Sequence, residues 1–488
     1  IFLSTHTFIL SNFMISFNNM VNKEIIMSAN HNLNSLPDQK KEAAQFYKNL
    51  FTLVGPTAIQ NLLSAAISSA DVIMLNFVGQ SAIAAVNLAS YIQFVLFIIL
   101  TGLSSGMIML TAQYWGKKDT FSIETIFGFA VKIAIISGIL FGLAAFFFPS
   151  TLMKIFTNEE KLISIGADYL KIVSISFICL SISNVCQSII KSIERVKTVT
   201  FITITAILLN ISLNAVFIFG LFGAPKLGVI GVAIATSISR FVELILSLFF
   251  SSIIKELNLS IKCLFRKNYL LFKDFIHYTM PALGNEFVWG SGWAMYAVIL
   301  GHLGEDIVAA NSVVNVLRNL GTILCFGLAY GGAILIGKHM GANELDLAKR
   351  NASRLIKITS LSGIFGALLM LCSQPLLKIF ADLTPLAASY MNYILVITSL
   401  SVIGAAANTV MICGVFRAGG DAKFGFIVDT IAMWGVSIPL GLIAAFVLKL
   451  PPLVVYTIIY LDEFEKIGFI IYHYKTGKWL KNITRNFS

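Results

Sequence analysis

Long apolar runs, separated by short polar or basic breaks, fill the chain from residue 46 to residue 474. A helix needs about 20 predominantly apolar residues to span a bilayer. Of the 488 residues, 57% are hydrophobic and 12% are charged, whereas soluble domains carry about 25% charged residues. The composition excludes a disordered chain, argues against a water-soluble enzyme, and predicts an all-α polytopic membrane protein.

The runs predict twelve transmembrane helices in two pseudo-symmetric lobes of six. The predicted spans are 46–76, 84–114, 123–148, 162–190, 198–219, 228–254, 275–300, 307–337, 350–372, 386–416, 424–448 and 452–474. The predicted domains are a polar, disordered N-terminal tail (1–45), an N-terminal lobe (46–254), a basic cytoplasmic linker (255–274), a C-terminal lobe (275–474) and a basic, solvated cytoplasmic tail (475–488).

The net charge of +11 is explained by the loops and requires no nucleic-acid partner. Alternate loops, together with both ends of the chain, hold 24 Lys and Arg residues, and the loops between them hold five. Cytoplasmic loops collect Lys and Arg. The bias therefore places both termini in the cytoplasm and predicts a multi-pass protein of the plasma membrane.

The two halves of the sequence resemble each other. Sliding residues 56–116 onto residues 281–341 gives 11 identities in 61 positions. The matched pairs include Pro56 with Pro281, Gly79 with Gly304, Gly102 with Gly327, Gly106 with Gly331 and Gly116 with Gly341. Because each half has six spans, the copies share one orientation in the membrane. Two matched lobes that face a central cleft form the architecture of an alternating-access transporter.

An ionisable residue inside a predicted span is expected to have a structural or functional role, because inserting its charged side chain at the centre of the bilayer costs about 2.5–3.5 kcal/mol on insertion scales. Asp71 ends a polar stripe on one face of the first span, which also carries Thr57, Asn61, Ser64 and Ser68 at helical spacing. Pro56 removes a backbone hydrogen bond at the start of this stripe and allows the helix to bend. The stripe predicts an ion-coupling site at Asp71; a polar contact between helices is the structural alternative.

The seventh span carries a carboxylate and three aromatic rings on one face, namely Glu286, Trp289, Trp293 and Tyr296. Charge pairing and cation–π attraction suit such a face to a flat organic cation. Lipid-facing packing is the alternative for the rings alone. Asp429, near the start of the eleventh span, is a second candidate for the substrate cavity.

Oxygen-bearing side chains also cluster on the fifth and sixth spans, where Asn210 and Asn214 share a face and Thr236 follows. They could complete a Na⁺ site or a proton relay around Asp71, or join membrane helices by hydrogen bonds. Arg240 and Glu243, three residues apart, are predicted to neutralise each other. Arg318 has two predicted partners, Asp429 and Glu286.

Several segments resemble the MATE (multidrug and toxic compound extrusion) family. The stretch from Pro56 through Asp71 and Gly79 to "AQYWGKKD" (112–119) resembles it, and so does the second-half counterpart that ends "GKHMGANE" (337–344). The segments "LLNISLNAVFIFG" (208–220), "GVAIATSISR" (231–240) and "FRAGGDAKF" (416–424) are similar to family segments as well. The resemblance covers about residues 46–475.

The resemblance implies a V-shaped pair of six-helix lobes that exports cationic, aromatic compounds in exchange for H⁺ or Na⁺. Asp71 corresponds to the family's coupling aspartate, with Asn210 and Thr236 as its companions. Asn214 stands where many members have a second aspartate, which weakens the case for strong Na⁺ binding at Asp71. Some members carry an acid where Trp289 stands, and the resemblance implies Glu286 as its substitute here. Some carry another acid on the tenth helix, where only Asn408 is nearby.

The sequence thus predicts an antiporter of small organic cations, a monomer in the lipid bilayer, with no cofactor, no enzymatic activity and no nucleic-acid partner. A flippase for lipid-linked saccharides, which needs a cationic cavity for a diphosphate, is the closest alternative. A membrane receptor or scaffold that transports nothing is the alternative from another class, although it would not need two matched halves.

Overall fold

The computed structural model describes residues 36–260, 262–375 and 383–486, except for the side chains of residues 36–38, 64–73 and 76. Of the described residues, those up to Phe51 belong to one compact unit and those from Thr52 onward to a second. Residues 36–51 are helical. The contacts described below all lie within the second unit.

The described chain is built from long helices and contains no β-strand. The helices of the N-terminal lobe are α1 (Leu36–Asn76), α2 (Gln80–Gly116), α3 (Thr120–Phe147), α4 (Glu160–Ser192), α5 (Val196–Phe219) and α6 (Gly228–Ser252). Those of the C-terminal lobe are α7 (Tyr269–Gly301), α8 (Glu305–Gly341), α9 (Leu345–Cys372), α10 (Pro385–Phe416), α11 (Ala422–Val447) and α12, which consists of Pro452–Ile459, Asp462–Glu465 and Ile467–Thr476. Short helices, Pro149–Lys154 and Lys262–Phe265, lie in two of the connections.

Local sequence explains where several helices begin and end. Asp119 accepts a hydrogen bond from the Ser122 amide at 3.0 Å and caps α3, and Asn268 caps α7 through the Leu271 amide, also at 3.0 Å. A side-chain oxygen at this position satisfies one of the free amides of the first turn. Gly220, with φ 72°, ends α5 in the left-handed conformation that glycine adopts at no steric cost.

The predicted helices match the observed ones, with one marked difference at the start. The first helix begins at Leu36, ten residues before the predicted boundary at 46. The last part of the predicted disordered tail is therefore helical, since residues 36–45 are rich in Gln, Lys, Glu and Ala, which favour helix. Residues 1–35 of that tail lie outside the described residues.

Among the described residues, nine helices are long and apolar enough to cross a membrane: α2 to α6 and α8 to α11. Three of the twelve predicted spans, α1, α7 and α12, are not among these nine. The middle of α7 carries Asn285 and Glu286, and α12 is interrupted around Asp462, Glu463 and Lys466. Both helices thus concentrate polar groups at membrane depth, where such groups need partners inside the protein.

The internal repeat predicted from the sequence is visible in the backbone. Gly79 and Gly304 precede α2 and α8 with φ angles of 131° and 118°, which L side chains rarely adopt. Lys118 and Asn343 follow the same two helices with φ angles of 63° and 64°. Both pairs are 225 residues apart, so the two halves repeat their turns as well as their helices.

The ends of α2 and α8 approach each other reciprocally. A Cβ at Gly116 would collide with the carbonyl oxygen of Lys338, and a Cβ at Gly341 would collide with the carbonyl oxygen of Gln113. The same offset of 225 residues relates both pairs, as a pseudo-twofold contact requires. We call this junction, residues 113–119 and 338–344, the closed end. Around Gly79 and Gly304, at the opposite ends of these helices, an added Cβ would meet nothing within 4 Å.

Two further glycines bring the lobes together along α2. A Cβ at Gly102 would lie 2.6 Å from the Cα of Leu283, and a Cβ at Gly106 would lie 2.6 Å from the Cα of Thr279, both on α7. Small residues permit such close backbone approach between membrane helices. The α2–α7 contact is therefore part of the interface between the two lobes.

The tail after α12 is not the solvated segment that its basic composition predicts. The side chain of Trp479 is 1% exposed, stacks on Tyr474 with a centroid distance of 5.4 Å, and donates a hydrogen bond to the Tyr474 carbonyl at 3.0 Å. The Trp479 carbonyl packs so closely on Gly419 that a Cβ there would collide with it. The buried indole packs the segment against the C-terminal lobe.

Replacing Gly116 with Ala should destabilise the protein, because the new methyl group meets a backbone carbonyl that cannot rotate away. Overpacking of this kind costs about 1–3 kcal/mol. Thermal unfolding of the purified protein in detergent should show a lower midpoint for G116A. Gly468→Ala is the matched control, since a Cβ there meets nothing within 4 Å. Equal midpoints for the two variants would contradict the reciprocal contact.

Candidate functional site

Polar side chains of the N-terminal lobe form a chain of hydrogen bonds across four helices. Gln60 on α1 donates to Thr203 on α5 at 3.2 Å, and Thr203 donates to Gln187 on α4 at 3.4 Å. Gln187 donates to Glu243 on α6 at 2.8 Å, which also binds Arg240 at 2.7 Å. The predicted pairing of Arg240 with Glu243 is confirmed. These contacts tie α1, α4, α5 and α6 together.

The predicted companions of the coupling carboxylate lie next to one another. Asn210 donates a hydrogen bond to Thr236 at 3.5 Å, and Asn214 donates to Asn210 at 3.3 Å. Asn214 is 1% exposed. The side chain of Asp71 lies outside the described residues, as do those of Ser64 and Ser68. Pro56 lies within α1, which continues past it as one helix.

Two widened turns shape the centre of the C-terminal lobe. The last turns of α10, Val410–Phe416, are π-helical and lead directly into Arg417. A second π-helical segment, Thr430–Ser437, begins immediately after Asp429. Such turns are rare and occur frequently at functional sites, because they redirect the side chains beside them. Arg417 and Asp429 are 3% and 5% exposed.

Arg417 is held by three side chains from two other helices. Its Nη1 donates to the Oε1 of Glu286 at 2.8 Å and to the Oγ of Ser105 on α2 at 2.7 Å. Its Nη2 donates to the Oδ1 of Asn285 at 2.6 Å. The side chains of Arg417 and Glu286 are 4% and 14% exposed. The predicted cation-binding carboxylate Glu286 is thus already paired with a guanidinium group of the protein.

Asp429 belongs to the same network through Asn285. The Nδ2 of Asn285 donates to one oxygen of Asp429 at 2.6 Å, and Lys466 on α12 donates to the other oxygen at 3.1 Å. Lys466 also lies 3.3 Å from Glu463 and 3.8 Å from Asp462. Three buried carboxylates therefore surround one buried ammonium. Such an arrangement lowers the cost of each charge inside the protein.

The aromatic face of α7 is only partly available to a ligand. Trp289 is 37% exposed and meets Trp293 edge to face at a centroid distance of 6.0 Å. Tyr296 is 2% exposed and packs against Trp293 at 5.6 Å. The guanidinium carbon of Arg318 lies 3.8 Å from the centroid of Trp293. Arg318 therefore stacks on a ring, which differs from both of its predicted pairings.

The structure thus joins Glu286 and Asp429, which the sequence proposed separately, and adds Arg417, Asp462 and Glu463, which are not among the predicted site residues. Arg417 lies just beyond the predicted span 386–416, and Asp462 and Glu463 lie inside the predicted span 452–474. Arg417 follows directly on the apolar run of α10 and precedes two glycines. The spacing of Asp462, Glu463 and Lys466 on one helical turn is the signal that could have indicated a buried cluster.

The closed end is also held by hydrogen bonds to the segment after α12. The Nε2 of Gln113 donates to the carbonyls of Ala418 at 2.7 Å and Lys481 at 3.1 Å, and its Oε1 accepts from the Ile483 amide at 2.8 Å. Lys338 forms an ion pair with Glu194 at 2.5 Å. Loops that the charge bias assigns to one side of the membrane therefore meet at one end of the structure.

Arg485 extends the same set of contacts. It binds Asp274 near the start of α7 through two hydrogen bonds of 2.5 and 2.8 Å, and its carbonyl accepts from Lys117 at 2.6 Å. The hydrogen bonds that Arg485 donates to the Asp274 carboxylate raise the pKa of the guanidinium, which stays charged. The segment 479–486 thereby links the end of α2 in one lobe to α7 in the other.

Gln113→Ala should loosen this segment, since the substitution removes the contacts of Gln113 with Ala418, Lys481 and Ile483. A cysteine in place of Ile483 should react with a maleimide about two- to tenfold faster in the Q113A background, as expected for the loss of one or more net hydrogen bonds. Gln93→Ala, on the same helix, is the control. Unchanged reactivity in Q113A would contradict the inferred role of Gln113.

Lys466→Met should be strongly destabilising, because it leaves Asp429, Asp462 and Glu463 buried without their ammonium partner. Breaking a buried ion pair costs about 3–5 kcal/mol. Adding Asp429→Asn to K466M should recover part of the loss in thermal stability, and Lys475→Met, at an exposed position, should have little effect. The buried cluster would be contradicted if K466M and K475M unfolded at the same temperature.

Comparisons with known proteins agree with this architecture. A sequence model of the MatE family matches twice, at residues 56–216 and 282–443, once in each half of the repeat. The "Uncharacterized transporter YisQ" of Bacillus subtilis is 26% identical over 406 residues, covering 82% of this chain and 88% of that protein. The "Probable multidrug resistance protein NorM" of Thermotoga maritima is 25% identical over 451 residues, covering 92% and 96%.

A solved structure has the same fold. The Vibrio cholerae MATE transporter VcmN superposes with a TM-score of 0.81 at 16% sequence identity, over 90% of this chain and 99% of that chain. The two family matches cover most of the chain and both halves of its internal repeat. The chain belongs to the MatE family, whose members are multi-pass membrane transporters.

Proposed function

We propose that this protein is a secondary active antiporter that exports organic, mainly aromatic cations in exchange for H⁺ or Na⁺. The observation that carries the proposal is the pair of matched lobes, tightly joined at one end and linked there by side-chain contacts. Alternating access needs such a bistable junction between two rigid halves. The name of the Thermotoga relative, a probable multidrug resistance protein, is consistent with this function.

We propose that the closed end faces the cytoplasm, so that the protein is viewed in a state closed to the inside. The loops meeting there include those rich in Lys and Arg, as cytoplasmic loops are. In this orientation both termini are cytoplasmic. The protein acts in the plasma membrane as a monomer, without catalysing a chemical conversion and without a nucleic-acid partner.

Coupling is proposed to take place at Asp71, with Asn210, Asn214 and Thr236 as its companions. The contacts among these three residues support the proposal because they supply amide and hydroxyl oxygens at one location. Such oxygens suit either Na⁺ coordination or a hydrogen-bonded proton. Pro56 would serve as the hinge at which α1 bends when the ion binds.

The cargo is proposed to contact Glu286, Trp289 and Trp293. Glu286 keeps some exposure, and Trp289 is the most exposed ring of the aromatic face. Tyr296 and Asp429 lie behind this surface, and Asp429 fixes Asn285 beside Glu286. The network contains four carboxylates (Glu286, Asp429, Asp462, Glu463) and the cations Arg417 and Lys466, with Arg318 nearby. The excess of acid favours a cationic cargo over a diphosphate.

Asp71→Asn should abolish the dependence of transport on the ion gradient, since the amide cannot take up a proton or balance the charge of Na⁺. Ethidium transport in proteoliposomes, driven by a pH gradient or by a Na⁺ gradient, should fall to the level measured without a gradient. Asp168→Asn is the control, because Asp168 is an exposed carboxylate on α4.

The two gradients identify the coupling ion, which is the one that drives ethidium out. Full gradient-driven transport by D71N would contradict coupling at Asp71. Translocation of a lipid-linked saccharide without any ethidium transport would replace the antiporter by the flippase.

A further inference from the structure

The ion pair between Arg417 and Glu286 lies within the C-terminal lobe, at its interface with the N-terminal lobe. Arg417 follows α10 and Glu286 lies on α7, both in the C-terminal lobe, but the Nη1 that binds Glu286 also donates to Ser105 on α2 in the N-terminal lobe. Ser105 lies between Gly102 and Gly106, the positions at which α2 touches α7. The hydrogen bonding of the Arg417 Nη1 therefore depends on the position of the N-terminal lobe.

We propose that Arg417 is an internal competitor of the cargo, and that Ser105 makes this competition depend on the conformation. This inference rests on the proposed binding of a cationic cargo at Glu286. With the closed end shut, Ser105 and Asn285 hold the guanidinium on the carboxylate, and an organic cation must displace it. The cargo is therefore bound weakly in this state and is released.

When the lobes part at the closed end, α2 carries Ser105 away from the C-terminal lobe. Arg417 then loses one of the groups that fix it, while Asn285, on the same helix as Glu286, still holds Nη2. The guanidinium is less firmly placed, and an organic cation competes for Glu286 more effectively. The cargo thus binds tightly from the inside and loosely on the outside, which is the difference in affinity that export requires.

Linkage makes the effect reciprocal. A cargo cation that displaces Arg417 from Glu286 also weakens the bond of the same Nη1 to Ser105, and so favours separation of α2 from the C-terminal lobe. If Glu286 had no competing partner in either conformation, it would bind the cargo with the same affinity in both. Equal affinity shifts no conformational equilibrium and yields no directed transport.

Ser105→Ala is the decisive substitution. It should tighten ethidium binding to the full-length protein in detergent about two- to tenfold, the expected effect of one net hydrogen bond. Transport of ethidium in proteoliposomes should show a lower KM together with a lower maximal rate, because release slows. Ser105→Thr keeps the hydroxyl and should retain the wild-type affinity.

Ser104→Ala is the matched control, since Ser104 donates to Asn184 inside the N-terminal lobe at 2.6 Å. It should leave the affinity for ethidium unchanged. Arg417→Gln removes the competitor itself and should tighten binding further than S105A. Thermal unfolding of each variant verifies that it is folded. If R417Q does not fold, the ethidium affinity of S105A alone tests the competition.

Glu286→Gln distinguishes a failure of the proposed competition by Arg417 from a failure of the proposed cargo site. If E286Q loses ethidium affinity and S105A binds as the wild type does, the competition by Arg417 is overturned while the cargo site stands. If E286Q binds ethidium as tightly as the wild type, the cargo site itself is wrong. Tighter binding in S105A but not in S104A, with loss in E286Q, supports the competition.

Discussion

The cost of an unpaired charge inside a membrane protein determines the organisation of this structure. Arg417, Lys466 and Asp429 are buried, Glu286 is partly buried, and each is held by an oppositely charged partner. Desolvating such groups costs several kcal/mol per ion unless the pairing geometry is good. The C-terminal lobe meets this requirement with a network that spans α7, α10, α11 and α12 and reaches α2 at Ser105.

A network of this kind suits a transporter because it can exchange one partner for another. Glu286 is balanced by Arg417 in the conformation described, and an incoming cation could take the place of that guanidinium so that the carboxylate stays paired, while Asn285 still binds Arg417. The closed end supplies the second element. The reciprocal packing of Gly116 and Gly341 brings the two backbones into close contact at the junction between the lobes.

Much of the fold could be predicted from the sequence, because hydrophobic length and glycine spacing are local signals. The helix boundaries and the repeat between Gly79 and Gly304 follow from them. The partner of Glu286 could not be predicted, since Arg417 lies 131 residues away in the sequence. Its position directly after an apolar run indicates the start of a loop. The burial of Trp479 could not be predicted either. The basic composition of the tail indicates a solvated segment, whereas the burial of the indole depends on tertiary packing. Asp71 remains a prediction.

The central claim is that the lobes separate at the closed end during transport. Pulsed electron paramagnetic resonance can test it with spin labels on cysteines that replace the exposed Lys118 and Asp346, after the exposed Cys372 has been changed to Ser. In liposomes, the distance between the labels should have a short component without cargo and gain a longer one when ethidium is added. A single short distance under all cargo and ion conditions would contradict the account.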